Sequence, residues 1–557
     1  MPINHKVKNW RTRGDDTAAR LSTAAPFIRE GKLVDAKDTV SLLEAILRPG
    51  DKVNIEGDNQ KQADFLAEEL CKVDPAKVHD LHMIQSTLSI PAHLDVFDKG
   101  IAKKLDFAYA GSQGKRLAQL ITDGGIEIGA IHTYLEMYSR YFIDLVPRVA
   151  LVACDEADAE GNLYTGFSTE DTPAIVEATK FNQGIIIVQA NKIVDKVRRV
   201  DIPADWVDFV IPAPKPYMLN PLFTRDPAKI SNERILKAMM AIQGIYAEYG
   251  VKVLNHGVGF DTAAIELLLP TFGESLGLRG KICTHWVLNP HPTMIPAIET
   301  GWAKAIYSFG SEVGMEDYIK ARPDIFAIGP DGTMRSNRAY SQAAGHYAAD
   351  MFIGSTMQID KYGNSSTATK SNVAGFGGAP NMGCDAKGRR HVTPAWKKCG
   401  EEVANRYELI GEANRGKKLI VQLITTVSKK GFPGFVDQLD AVALKARAHL
   451  DLEPIMIYSD DLTHIVSEVG IAYLSKCQSM DERMAAIRAI AGNTEVGKNE
   501  DPSETARLRK EGIVKLPEDL SLDPSKATRE LLAAKNMKDL VDWSDGLYNP
   551  PEQFRNW

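Results

Sequence analysis

The sequence predicts an α/β protein of two tandem halves, each built on a mostly parallel sheet and facing a shared cleft, with a C-terminal extension on the second half. Three observations carry that prediction. Apolar runs of strand length alternate with amphipathic helical stretches, the pattern of a mostly parallel sheet. A five-residue turn, D-x-x-G-N, follows such a run twice: Asp158-Ala159-Glu160-Gly161-Asn162 after RVALVAC, and Asp360-Lys361-Tyr362-Gly363-Asn364 after MFIGSTMQI. One such turn is an ordinary tight turn; two in matching context point to an internal duplication. Finally, Pro212, Pro214, Pro216, Pro221 and Pro227 crowd residues 211–230, which excludes a long helix or a central strand there. We therefore expect an N-terminal α/β domain over 1–215, a Pro-rich linker over 216–230 and a C-terminal α/β domain with its extension over 231–557.

In chain order, the Pro49-Gly50-Asp51 turn leads into the strand KVNIEG, and an amphipathic helix begins at Gln60-Lys61-Gln62-Ala63-Asp64-Phe65-Leu66. Strand-like runs follow at VALVAC, GIIIVQA and DFVIPA, with the helical TPAIVEATKF among them. Past the linker, ERILKAMMAIQGIYAEYG reads as a helix, VKVLNHGVG as strand and loop, and Asp261-Thr262-Ala263-Ala264 as the start of another helix. Strands are expected again at FAIG, FIGSTMQI, KLIVQLIT and EPIMIYS.

Composition narrows the function classes. The 557 residues exceed what one core organises. No apolar run approaches the roughly 20 residues of a membrane span. A net charge of -7, from 66 basic and 73 acidic residues, leaves no cationic excess for a nucleic-acid backbone. The six cysteines, Cys71, Cys154, Cys283, Cys384, Cys399 and Cys477, form no C-x-x-C, and the N-terminal stretch has no apolar signal core, so the expected compartment is the cytoplasm.

The candidate chemistry lies in loops. Ala374-Gly375-Phe376-Gly377-Gly378-Ala379-Pro380 is glycine-dense, so its backbone can approach a ligand and converge N–H groups on one oxygen. We take Gly375, Gly377, Gly378 and Ala379 as candidate catalytic positions. The loop fits neither G-x-G-x-x-G nor G-x-x-x-x-G-K-[ST], so dinucleotide and P-loop readings fail. The Asn59-Gln60-Lys61 loop, polar and running from strand to helix, suits a substrate carboxylate or a carrier arm. Asn162, Asn364 and Ser365 of the duplicated turns are candidates for the same cleft. Arg389 and Arg390 in Lys387-Gly388-Arg389-Arg390-His391 suit a carboxylate, a phosphate or an acidic protein surface, or form a solvated basic loop. Cys283, His285 and His291 match no metal-ligand spacing, and no metal is expected. Glu312 and Glu316 could serve acid–base or covalent work, or form the acidic turn at a helix start.

Taken together, ACDEADAEGNLYTG, FIGSTMQIDKYGNSSTAT with GFGGAPNM, and Asp460-Asp461-Leu462-Thr463-His464-Ile465-Val466-Ser467-Glu468-Val469-Gly470 resemble the coenzyme A transferase superfamily, with its duplicated domains and G-x-G-G loop. Across nearly the whole chain, including NIEGDNQKQADFLA, NHGVGFDTAAIELLLPT, THWVLNPHPT and LYNPPEQFRNW, the sequence is similar to the alpha-subunit family of biotin-independent malonate decarboxylases. That resemblance implies a transferase that converts acetyl-S-carrier plus malonate to malonyl-S-carrier plus acetate. The implied partners are an acyl-carrier-protein subunit and the other decarboxylase subunits, with a homodimer left open. The thiol belongs to the carrier's dephospho-coenzyme A-derived prosthetic group, so the chain itself is expected to hold no cofactor.

One departure bears on mechanism. The superfamily's nucleophilic glutamate has no counterpart in Cys283-Thr284-His285-Trp286-Val287-Leu288-Asn289-Pro290, which contains no carboxylate. Direct exchange through a mixed anhydride is therefore expected. The alternatives are a covalent carboxylate among Glu312, Glu316 and Glu468, in a coenzyme A transferase or thioester hydrolase, and a non-catalytic anion-binding scaffold on the same fold.

Overall fold

The computed structural model describes residues 11–57, 61–334, 336–378 and 419–557. Its contacts divide the chain into two compact units. The first comprises residues 1–220 with 337–339 and 447–450; the second comprises 221–336, 340–446 and 451–557.

The first unit is organised on a ten-stranded sheet. From edge to edge run Ile28–Glu30, Leu33–Val34, Phe209–Pro212, Ile185–Ile193, Val149–Ala157, Lys52–Ile55, Leu81–Thr87, Ala102–Tyr109 and Glu127–Ile131; Leu163–Tyr164 pairs beside Val149–Ala157. Every pairing is parallel except the edge hairpin at Ile28–Val34 and the short Leu163–Tyr164 partner. Parallel strands need both faces covered, and VALVAC shows it: Val149 through Cys154 are all fully buried although alternate side chains leave opposite faces. Helices Tyr134–Ile143 and Thr172–Phe181 cover one face, packing Tyr138, Tyr141, Ile175 and Val176 onto Ala150, Val152 and Cys154. Thr133 caps the first of these by accepting from Glu136 N. The strand order turns back between Lys52–Ile55 and Val149–Ala157. In an open α/β sheet, ligands bind at the carboxyl ends of strands flanking such a switch point.

The second unit holds an eight-stranded sheet in the order Ala305–Tyr307, His285–Val287, Val253–His256, Met351–Ser355, Leu419–Leu423, His464–Val466, Ile471–Tyr473, Val514–Lys515. Its first six strands are parallel and the last two pairings antiparallel. Here the order turns back between Val253–His256 and Met351–Ser355. At that point Gly257 passes so near the neighbouring strand that a Cβ on it would lie 3.0 Å from Gly354 Cα, so a larger residue would push the strand ends apart.

Two expected strands are not formed: FAIG makes only isolated bridges at Phe326 and Ile328, and EPIMIYS only one at Ile457. FIGSTMQI is divided, with Met351–Ser355 in the main sheet and Gln358–Asp360 in a three-stranded one. The expected helix over 233–250 is present, interrupted by a π turn at Ile242–Tyr246.

Candidate functional site

The two D-x-x-G-N turns share their bonds between Asp and Asn and differ in one backbone donor, Gly161 N in the first and Tyr362 N in the second. Asp158 Oδ1 accepts from Gly161 N and Asn162 N, Asp158 Oδ2 accepts from Asn162 Nδ2 at 2.8 Å, and Asn162 Oδ1 accepts from Ala204 N at 3.0 Å. In the second copy Asp360 Oδ1 accepts from Tyr362 N and Asn364 N, Asp360 Oδ2 from Asn364 Nδ2 at 2.9 Å, and Asn364 Oδ1 from Ser459 N at 2.9 Å. Gly161 and Gly363 both take φ near +96°, the left-handed region glycine alone enters freely. The amides of Asn162 and Asn364 thus pin a distant backbone segment to each turn. Ser365, fully buried, donates to Gln422 Oε1 at 3.4 Å.

At the switch point of the first unit, Glu56 follows directly on the Lys52–Ile55 strand and is fully buried. It accepts from Ala153 N at 2.8 Å and from the Thr172 hydroxyl. Lys61, 1% exposed, donates to Thr172 Oγ1 and lies 3.6 Å from Glu56 Oε1. Burial pushes the Glu56 carboxyl up, while Lys61, the Ala153 N–H and the Thr172 hydroxyl pull it back. Beside this group Asp171 accepts from Ser86 Oγ and Tyr138 OH and pairs with Arg338, which also donates to Glu170 Oε2 at 2.7 Å. No spacing in the sequence announces the Arg338 pairing, because its partners lie about 168 positions away. Lys61 is therefore an interior cation, and Asn59 and Gln60 lie outside the described residues.

In the second unit the glycine loop follows a hairpin of Ala368–Thr369 and Asn372–Val373. Gly375 and Gly377 have φ of 81° and 59°. The Thr367 hydroxyl donates to Gly375 O, Ala374 N donates to Thr367 O at 3.1 Å, and Phe376 is buried, so the loop is held from its first residue. A Cβ on Gly378 would sit 3.1 Å from Gln342 Nε2. Ala379, Arg389 and Arg390 lie outside the described residues.

At this unit's carboxyl edge, the fully buried Glu266 accepts from His256 Nδ1 at 2.9 Å, His291 Nδ1 at 2.8 Å and the Thr293 hydroxyl. Against the cost of burial, those donors hold its carboxyl down at about 2. Tyr246 OH donates to His256 Nε2 at 2.8 Å, and burial keeps the His256 imidazole below its usual value. His291 is a member of this cluster, and no group of three or more His, Cys, Asp or Glu suited to a metal occurs among the described residues.

The candidate carboxylates are occupied. Glu312 accepts from Thr224 N at 3.1 Å and Thr224 Oγ1 at 2.9 Å; Glu468 accepts from Thr426 N and the Thr426 hydroxyl. Glu316 opens the helix Glu316–Ala321, and burial pushes its carboxyl up.

The comparisons with known proteins agree with one another. The family described as malonate decarboxylase, alpha subunit, transporter matches residues 9–557. An acetyl-S-ACP:malonate ACP transferase of Malonomonas rubra is 63% identical over 552 residues, 99% of this chain and 100% of that protein. The crystal structure of a malonate decarboxylase alpha subunit from Acinetobacter baumannii is 56% identical with a TM-score of 0.90, covering 98% of this chain and 100% of that one. A chain of a Pseudomonas malonate decarboxylase hetero-tetramer, solved in complex with malonate, is 54% identical with a TM-score of 0.90, covering 98% and 99%. The alpha subunit of a Streptococcus mutans citrate lyase, 14% identical with a TM-score of 0.56, shares the fold. With a full-length family match and that degree of identity to a relative covered end to end, the chain belongs to the malonate decarboxylase alpha subunit family.

Proposed function

We propose that the chain is an acyl-carrier-protein transferase that converts acetyl-S-carrier and malonate to malonyl-S-carrier and acetate as the alpha component of a malonate decarboxylase. The observation that carries it is the end-to-end identity to the Malonomonas rubra transferase. The thiol is supplied by the carrier's prosthetic group, and the protein's tasks are binding, orientation and exclusion of water. The Pseudomonas hetero-tetramer supports assembly with other subunits.

The reaction runs by direct exchange. A malonate carboxylate attacks the acetyl carbonyl; the C–O bond forms, the C–S bond breaks and the carrier thiolate leaves. The thiolate then attacks the malonyl carbonyl of the mixed anhydride, expelling acetate. Negative charge develops on a carbonyl oxygen in both steps, and the Gly375–Gly378 backbone, with left-handed glycines and a tethered start, is the donor set suited to it. Two facts support exchange without an enzyme nucleophile: the Cys283–Pro290 stretch has no carboxylate, and Glu312 and Glu468 are each held by a threonine's N–H and O–H.

The test incubates the purified chain with acetyl-S-carrier and malonate and weighs the carrier by mass spectrometry. Malonyl-S-carrier and one equivalent of acetate are expected, and only when malonate is present. An unchanged acetyl-S-carrier would reject the reading in favour of a scaffold.

A further inference from the structure

Among the described residues two lysines are fully buried, Lys61 and Lys237, each 1% exposed. Each is bound to a carboxylate and a threonine at a switch point. Lys237 Nζ lies 2.9 Å from Asp261 Oδ1 and donates to Thr425 Oγ1 at 3.0 Å. Lys61 Nζ donates to Thr172 Oγ1 and, at 3.4 Å, to Thr169 O, and it lies 3.6 Å from Glu56 Oε1. Thr172 donates in turn to Glu56, whose other oxygen accepts from Ala153 N.

That ring joins four pieces of chain. Glu56 directly follows the Lys52–Ile55 strand, Ala153 lies in Val149–Ala157, Thr172 opens the helix Thr172–Phe181, and Lys61 precedes the helix Asp64–Leu70. Two of these are the strands between which the sheet order reverses. A carboxylate with no exposed surface tolerates its charge only while a cation and hydrogen-bond donors compensate it. The Lys61 ammonium is met by Thr172 Oγ1, Thr169 O and Glu56 Oε1 in the protein interior.

We propose that Lys61 is a positioning residue for the transfer reaction: it compensates Glu56 and through Thr172 fixes the carboxyl-edge loops of the first unit, and it does not bind malonate. The proposal rests on the transferase reading. Burial raises the Glu56 carboxyl, so it is the group in the ring that protonates when its cation is removed. The other titratable groups facing the ring are accounted for. Asp171 faces Glu56 and is held by Ser86, Tyr138 and Arg338; Asp155 faces Lys61 and is held by Tyr217 and Asn191; Cys154, Tyr141 and Tyr217 are kept neutral by burial.

The test is a charge-compensation series in the full chain, with acetyl-S-carrier and malonate: Lys61→Met, Glu56→Gln and the double variant. Lys61→Met strands a buried carboxylate and should lower kcat by roughly 10²-fold at neutral pH, the cost of displacing a reacting geometry, with the malonate KM within about twofold of the parent. Its activity should climb as the pH is lowered, because protonated Glu56 is the equivalent of glutamine; the parent should show no such climb. The double variant decides the matter even if Lys61→Met fails to fold. With neither charge present it should fold and recover to within about tenfold of the parent. A folded double variant with lost turnover or a malonate KM raised about tenfold overturns the proposal, as does a folded Lys61→Met without acid rescue. A parent chain with no transfer at all would instead reject the transferase reading.

Discussion

Gly377 holds φ at 59°, where a β-branched residue is strained, and it lies in a loop whose preceding residues are buried and tied to Thr367. A valine there turns the peptide N–H groups on either side while leaving the two large sheets untouched. If those groups stabilise the carbonyl oxygen in transfer, Gly377→Val should lower kcat by about 10²–10³-fold, as loss of one oxyanion donor does elsewhere. The malonate KM should change little and the chain should remain folded. Steady-state kinetics beside a thermal melt provides the check; full activity in a folded variant would remove the loop from the chemistry. At this scale the sequence discloses residue types but not burial. The polar loop of Lys61 reads as suited to a substrate carboxylate or a carrier arm, yet Lys61 is interior, and its partners Thr169 and Thr172 lie more than a hundred positions away.

Elements were more legible where local pattern and tertiary demand agree. RVALVAC and GIIIVQA become central parallel strands because a segment apolar on both faces has no other stable place. FAIG and EPIMIYS have the same local character but meet the edge strands Ala305–Tyr307 and Ser365–Ser366 at single bridges only, so local propensity alone does not extend a ladder. Least legible was how helices key to sheet edges, of which Glu266 is the instance. It lies on the helix Phe260–Leu268 and gathers His256 from a strand end and both His291 and Thr293 from the loop after another. Its carboxyl falls from 4.5 to about 2 on folding. A carboxyl depressed by folding stabilises the native state above its unfolded value, and that stability disappears as the pH drops through the folded one. The shift corresponds to about 3 kcal/mol at neutral pH. Glu266→Gln should therefore be less stable than the parent by about that amount at pH 7 in denaturant titrations, with the gap narrowing between pH ~4.5 and ~2. A gap that stays constant or widens on acidification would show that the carboxylate's charge is not what the two imidazoles hold.

The whole molecule repeats one device in two units: a parallel sheet whose strand order reverses, a buried lysine bound to a carboxylate and a threonine at the reversal, and a D-x-x-G-N turn pinning distant backbone. The duplicated turn was visible in the sequence because its five residues are contiguous, whereas the lysine rings were not, since their members are dispersed. The superfamily resemblance calls for a glutamate near Leu288 and Asn289, and the structure places there the strand His285–Val287 and its following loop, with Asn289 Nδ2 donating to Ser311 O at 3.3 Å and His291 bound to Glu266. The nearby carboxylate Glu312 and the distant Glu468 are acceptors for threonines. Malonate brings its own carboxylate, so no enzyme acyl or thioester adduct is required. The consequence can be measured without malonate: after incubation with acetyl-S-carrier and treatment with borohydride or hydroxylamine, which trap a glutamyl thioester or anhydride, peptide mapping should find every aspartate and glutamate unmodified. A tagged Glu312, Glu316 or Glu468 would establish covalent catalysis and overturn direct exchange. It would also require the tagged carboxylate to leave its present partners before it could attack.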